Sequence, residues 1–244
     1  MNKHENICIR AITTLIILIV CMSIIIQPVR AYEDVDMQKS KDVLTQSATE
    51  NDKTAKNVVE SIPMPYYNQY NYANVPYMGK TIAARGCGIV SASMIATYLL
   101  QDETLTPKYL AETYGDPCNK HPNVNYENLM TVATSTLEEL GIELTLTYDF
   151  VDVLNALIEG KPVLSLENPG LFTSVPNGHF VVYESVTEDG RFTIHDSNGY
   201  NWERNEYYHE NGFPYVQVYE SGSGYWICKL EKEVDVDYVV NNTN

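Results

Sequence analysis

An apolar helix that directly follows a cysteine is the feature that most constrains the fold of this chain. Residues 88–101 place apolar side chains on nearly every side of the predicted helix, which leaves little polar face for solvent. Such a helix is expected at the centre of a domain. It begins at Gly86-Cys87-Gly88, and the positive end of a helix stabilises a thiolate over a thiol. Cys87 is therefore either a reactive thiol or a small buried side chain.

The remaining pattern changes from helices to strands along the chain. Before the change we predict a helix after Thr106 up to Tyr114, one at residues 126–140, a strand at 142–148 and a helix between Asp149 and Gly160. The later strands are predicted at 162–167, 179–187, 191–196 and 225–230, with a hairpin turn at 188–190. Helices followed by an antiparallel sheet predict an α+β domain with two layers packed face to face.

The first 31 residues have the pattern of a bacterial export signal. Lys3 and Arg10 precede a 16-residue apolar core at 11–26, and Ala31 ends a possible cleavage site. The alternative is an uncleaved membrane anchor, although the core is short for a full span. Either reading places the domain outside the cell, secreted or held at the outer face of the membrane.

Four regions follow from this organisation. Residues 1–31 are the signal, and 32–61 are a polar linker or pro-segment with too few apolar side chains to form a core. Residues 62–232 form the predicted domain, and 233–244 form a flexible acidic tail. Between Tyr70 and Arg85 the turn residues and the absence of a period predict a loop.

The net charge limits the choice of partners. The chain of 244 residues has a formal charge of −16, which becomes −18 without residues 1–31, since these hold three basic residues and one acidic residue. Nucleic acids and anionic lipids bind surfaces rich in Lys and Arg, so neither is the expected main partner. Contact with the membrane is expected only through the N-terminal segment.

Three cysteines remain outside the signal: Cys87, Cys118 and Cys228. An odd number in an exported chain leaves at least one thiol free, and a Cys118–Cys228 bridge would leave Cys87. Cys118 and His121 have a spacing seen in zinc sites, but no second pair of ligands accompanies them. We therefore predict no metal and no organic cofactor.

The predicted hairpin brings a histidine and an aspartate together. His179 opens one strand and Asp196 ends the next, so a turn at 188–190 would place them opposite each other, about 5 Å apart between Cβ atoms. An aspartate there can orient the imidazole as the general base for a thiol. Gln69, in an extended segment before Cys87, can supply an amide to an oxyanion hole.

At this point the chain resembles the C39-like cysteine peptidases. The resemblance covers about residues 62–230 and rests on Met64-Pro65-Tyr66-Tyr67-Asn68-Gln69, Gly86-Cys87-Gly88, Gly160-Lys161-Pro162-Val163, Gly178-His179-Phe180-Val181-Val182 and Ile194-His195-Asp196-Ser197-Asn198. It implies a papain-like cysteine protease fold, with the nucleophile on a central helix that packs on a C-terminal antiparallel sheet. It also implies Cys87 as nucleophile, His179 as general base, Asp196 as its orienting group and Gln69 in the oxyanion hole.

Some positions depart from the family pattern or leave an alternative. Ile89 and Val90 stand where the family often has proline and a small hydroxyl residue, which leaves room for altered specificity. Ser197 stands where proline is usual. Asn198 is an alternative orienting residue, and His195 should point to the opposite face of its strand.

The expected function is therefore that of an exported thiol hydrolase acting on a peptide or a peptide-containing substrate. A cell-wall peptide is one such substrate, and acyl transfer to an amine needs the same residues. The competing hypothesis is a catalytically silent surface domain that binds a partner and keeps the fold.

Overall fold

The computed structural model describes Asp42 and residues 61–115 and 126–230, without the side chains of 126–130. The predicted signal, nearly all of the linker and the acidic tail thus lie outside the described residues, so their assignments remain predictions. Within the described part, no helix is long and apolar enough to cross a membrane.

The order of helices and strands follows the change of pattern in the sequence. The helices are α1 (Ile82–Arg85), α2 (Cys87–Leu100), α3 (Pro107–Tyr114), α4 (Tyr126–Glu139), α5 (Phe150–Ile158), α6 (Gly199–Arg204), α7 (Glu206–Asn211) and α8 (Tyr215–Tyr219). The strands are β1 (Pro76–Tyr77), β2 (Lys80–Thr81), β3 (Ile142–Thr147), β4 (Val163–Glu167), β5 (His179–Val186), β6 (Arg191–His195), β7 (Phe213–Pro214) and β8 (Gly222–Leu230). A 3₁₀ turn at Gln69–Tyr72 precedes them.

The main sheet has six antiparallel strands in the order β3-β8-β4-β5-β6-β7. This confirms the predicted α+β class. The helix starts also agree with the sequence, since Thr106 accepts a hydrogen bond from Tyr109 N before α3 and Asp149 accepts one from Val151 N before α5. Side-chain caps of this kind satisfy N–H groups that the first helical turn leaves unpaired.

The helix α2 lies at the centre of the domain, as its apolar composition predicts. Most of its residues are buried, and they form one cluster with Leu164 of β4, Phe180 and Val182 of β5, and Cys228 of β8. Ser91 Oγ donates to Phe180 O at 3.4 Å, which links α2 to the second residue of β5. The opposite face of the sheet packs on aromatic rings, including Phe150, Tyr183, Phe192, Tyr215, Tyr219 and Tyr225.

The prediction of a loop from Tyr70 to Arg85 is wrong. The segment contains the 3₁₀ turn, the hairpin β1–β2 and the helix α1. The two residues of the hairpin turn, Met78 and Gly79, both have positive φ, at 51° and 73°. Such turns usually have Asn or Asp with Gly, so methionine gives no turn signal. Met78 is fully buried, so packing offsets its unfavourable backbone conformation.

Candidate active site

The first residues of α2 and β5 meet at one end of the sheet. Cys87, half-buried, is the first residue of α2, and His179, 6% exposed, is the first residue of β5. Both residues line the same cavity, and each side chain shifts the pKa of the other. The contact between Ser91 and Phe180 lies four residues along α2 and one residue along β5, so the helix and the strand are joined close to this pair.

Asp196 holds the other side of the imidazole. His179 Nε2 lies 2.6 Å from Asp196 Oδ1, and the carboxylate is fully buried. Asn198 N donates to the same oxygen at 2.8 Å. Because Nε2 is bonded to the carboxylate, Nδ1 is the nitrogen left for the thiol. Cys87, His179 and Asp196 together form the Cys–His–Asp group of this site.

The predicted cross-strand pairing of His179 with Asp196 is wrong in register. The β5–β6 ladder pairs Val182 with His195, which puts Asp196 at the level of Val181, beyond the last residue of β6. A shift between Tyr183 and Ser185 interrupts the ladder, and an extra residue of this kind cannot be read from the hairpin turn. Asp196 reaches His179 diagonally instead of from the opposite position.

The charges within the Cys–His–Asp group favour an ion pair between Cys87 and His179. Burial raises the pKa of the Cys87 thiol, but the hydrogen bond and charge of His179 and the N–H groups of Phe180 and Gly88 outweigh it and lower the pKa below its usual value. Burial lowers the pKa of His179, but the interactions with Asp196 and Cys87 together raise it to about 10. Both shifts favour a thiolate beside an imidazolium.

Gln69 lies beside the cysteine with a fixed amide. Its Nε2 donates to Ala83 O at 3.0 Å, and its Oε1 accepts from Ser197 Oγ at 3.1 Å. Its backbone N also donates to Ser197 O at 2.8 Å. Because Ser197 bonds the amide oxygen, the NH₂ group is turned away from it, and one N–H remains after the bond to Ala83.

A cavity of about 410 Å³ opens beside these residues. It is lined by Gln69, Cys87, His179 and Asn198 and by the apolar side chains of Leu166 and Val175. Ile89 and Val90, the positions that depart from the family pattern, do not line this cavity and are fully buried in the core. These two departures from the family pattern thus affect the packing of α2. Neither residue contacts the cavity through which it could change the substrate specificity.

The alternative residues of the sequence analysis have other partners. Asn198 Oδ1 accepts from Tyr200 N and Asn201 N and so caps α6, while the contact with His179 belongs to Asp196. His195 Nε2 pairs with Glu184 Oε2 at 2.7 Å on the neighbouring strand. Neither side chain is hydrogen-bonded to the imidazole of His179 among the contacts described.

The remaining cysteines and the candidate zinc ligands are only partly described. Cys118 and His121 lie outside the described residues, and so does any Cys118–Cys228 bridge. Cys228 is a buried free thiol within the described part. The same part contains no group of three or more His, Cys, Asp or Glu placed to hold a metal ion.

Sequence reasoning missed two residues of the site. In the sequence Ser197 stands out only as a departure from proline, because its two bonds to Gln69 depend on tertiary structure. Glu167, fully buried and paired with His179 across β4 and β5, gave no signal either. An acidic residue at the end of a predicted strand is normally exposed, so only the three-dimensional structure reveals it.

An α+β domain whose buried helix begins with a cysteine beside a histidine and a carboxylate is the arrangement expected of papain-like cysteine peptidases. The Peptidase_C39 like family matches residues 61–225, about two thirds of the chain, and the chain belongs to this family. A search of the curated proteins gave no match, and neither did a search of the solved structures. The predicted family is confirmed, and it suggests cysteine peptidase activity in general terms.

Proposed function

We propose that this protein is an exported, papain-like cysteine peptidase that cleaves a peptide or amide bond. The observation that supports it most is the placement of Cys87 and His179 on one open cavity, with His179 Nε2 bonded to the buried carboxylate of Asp196. A thiolate at a helix start with a charged imidazole beside it is the form in which cysteine attacks carbonyl carbon.

The first half of the reaction forms an acyl-enzyme. Cys87 Sγ bonds to the carbonyl carbon, and the electron pair of the C=O double bond moves to its oxygen. The Cys87 N–H, which has no partner within the helix, and the remaining N–H of Gln69 stabilise this oxyanion. His179 then gives its Nδ1 proton to the amine nitrogen, the C–N bond breaks, and a thioester remains.

Water completes the second half. The neutral His179 takes one proton from water while the oxygen of that water bonds to the thioester carbon. The C–S bond then breaks, which releases a carboxylic acid and restores the thiolate and imidazolium. Asp196 keeps the ring in one orientation and stabilises its charged form in both halves. Every proton and electron pair is carried by the chain, the substrate or water.

The substrate class follows from the sequence and the family. An N-terminal export signal would place the domain outside the cell, where peptides and the peptide part of a bacterial cell wall are the amide substrates within reach. The cavity next to Cys87 combines apolar walls with the polar reacting groups, which suits a peptide side chain on one side of the scissile bond.

The test is hydrolysis of peptide libraries and of muropeptides by the mature chain. Cys87→Ala should remove all cleavage, while Cys228→Ala is the matched control because it removes the other described thiol. Cleavage that stops only in Cys87→Ala supports the proposal. If wild type and Cys87→Ala behave alike on every substrate, the catalytically silent binding domain is the better description.

A further inference from the structure

Glu167 is a buried carboxyl group that the proposed reaction does not use. It is the last residue of β4 and is fully buried. The β4–β5 ladder pairs it directly with His179. Side chains at such opposite positions lie on the same face of the sheet, with Cβ atoms about 5 Å apart. A buried acid beside the general base needs a physical explanation, because its burial is costly.

Hydroxyl groups from several segments surround this carboxyl group. Glu167 Oε1 accepts from Ser165 Oγ at 2.6 Å and from Tyr183 OH at 2.7 Å. The Ser221 hydroxyl interacts with the same carboxyl group, although Oε2 makes no hydrogen bond of ordinary geometry. The group therefore joins β4, β5 and the turn before β8 at the end of the sheet where His179 lies.

The surroundings of this carboxyl group favour its neutral form. Burial raises the pKa of Glu167, and the hydroxyl donors and the charge of His179 offset this only in part. Tyr183 and Tyr225 face it from β5 and β8, and burial raises the pKa of both tyrosines as well. Ser221 Oγ donates to Val218 O at 3.0 Å, which ties the turn before β8 to α8.

The backbone at this point also allows little movement. Gly178, directly before His179, has φ of 81°, and a Cβ atom there would lie 2.9 Å from Glu167 O. The ladder between β4 and β8 shifts between Leu166 and Glu167. A register shift next to a reacting group commonly redirects a side chain. The bonds of Glu167 thus fix the strand end that this shift would otherwise leave loose.

We propose that Glu167 is a positioning residue for His179, and that its buried hydroxyl network holds the start of β5 so that the imidazole faces Cys87. This inference rests on the proposed function, because it assigns His179 the role of general base. Glu167 does not touch the substrate or the reacting atoms. It acts through Tyr183 and through the paired backbone of β4 and β5.

The experiment compares three test variants and one control variant with wild type in two assays. The assays are peptide hydrolysis, with kcat and KM separated, and the rate of Cys87 alkylation as a function of pH without substrate. Glu167→Ala should lower kcat about 30-fold at similar KM, since small displacements of reacting groups cost up to about 100-fold. It should also move the alkylation midpoint of Cys87 to higher pH. Tyr183→Phe, which removes only one hydroxyl group, should show a weaker loss of about fivefold.

Glu167→Gln should recover most of the activity and the wild-type alkylation profile, because its amide oxygen can accept from Ser165 and Tyr183 without carrying a charge. Glu184→Gln is the matched control, since Glu184 is bonded to His195 on the same hairpin. If Glu167→Gln shifts the profile, the group acts through a charge and the proposal is wrong. If Tyr183→Phe and any folded Glu167→Ala match wild type, the network does not position His179.

The two proposals fail in different ways. A wild-type Cys87 that alkylates like an ordinary thiol contradicts the proposed function. A wild-type Cys87 with a low midpoint that is the same in all the variants contradicts only the role of Glu167.

Discussion

Cys87 and Cys228 lie in the same hydrophobic cluster between α2 and the sheet, yet their surroundings change the two thiols in opposite directions. Burial raises the pKa of Cys228 to about 12. Burial also opposes ionisation of Cys87, but its pKa is lowered overall. Burial alone thus makes a cysteine inert in this fold, and a second effect is needed to make it reactive.

The second effect comes from the charged groups and hydrogen-bond donors at the strand and helix ends, which lower the pKa of the thiol. Cys87 lies where α2 begins, with the imidazolium of His179 and the N–H groups of Phe180 and Gly88 around its sulfur. Cys228 lies within β8, between β3 and β4, with its own N–H bonded to Pro162 O at 2.9 Å. In this fold, the end of a helix or strand therefore supplies the charges and donors that its middle lacks.

Removal of the imidazole should make Cys87 resemble Cys228. We expect His179→Ala to lower kcat by about 10³-fold or more, since a triad without its base keeps only a small fraction of the rate. The Cys87 thiol should also lose its low pKa. The measurement is hydrolysis with the alkylation profile of the same sample. His195→Ala is the control, and an equal loss in both variants would contradict the assignment.

A smaller change to the Cys–His–Asp group is Asp196→Asn, which keeps the shape of the side chain and removes its charge. We expect kcat to fall by about 10²- to 10⁴-fold. The pKa of His179 is raised mainly by Asp196, so the imidazolium should lose its proton at lower pH in the variant. The basic limb of the pH–rate profile should therefore move to lower pH. A basic limb that stays in place would show that Asp196 does not set the charge of His179.

Ser197→Ala tests the orientation of Gln69. Loss of the bond from Ser197 Oγ frees the amide to turn, so we expect a decrease in kcat of about fivefold, while removal of an oxyanion donor itself costs more than about 100-fold. The alkylation profile of Cys87 should stay as in wild type, because the thiolate does not depend on the amide. A shift of that profile would contradict a role limited to the oxyanion.

Cys228→Ala should have the smallest effect on catalysis. We expect kcat within about twofold of wild type, while the free energy of unfolding falls by about 1 kcal/mol from loss of a buried sulfur. Urea unfolding and hydrolysis measure the two quantities. A tenfold loss of kcat in the folded variant would mean that the two thiols are not independent.

The sequence was sufficient for most of the helices and strands. The apolar pattern of α2, the caps Thr106 and Asp149 and the hairpin before Arg191 are local signals, and the structure has elements in these places. The hairpin at Met78 was missed because a buried methionine at positive φ has no local signal. Tertiary packing around Met78 determines that turn, and a local sequence pattern carries no information about such packing.

The candidate site was predictable in its residues but not in its geometry. Cys87, His179, Asp196 and Gln69 lie together, as the motif order indicated, and their catalytic roles stay predictions. The interruption of the β5–β6 ladder near Tyr183 moves Asp196 away from the position opposite His179. The register of two strands depends on every bond between them, so it could not be read from the turn alone. Buried polar groups are recognised only when their partners, distant in sequence, are known.

The most direct test of the central claim is the rate of alkylation of each cysteine in the mature chain from pH 4 to 10, resolved by peptide mass mapping. Cys87 should react with a midpoint well below the usual thiol value of about 8.5, and Cys228 should react only after unfolding. An unfolded sample supplies the ordinary profile for both. If Cys87 in the folded chain reacts only above about pH 8, it is not an activated nucleophile and the account is wrong.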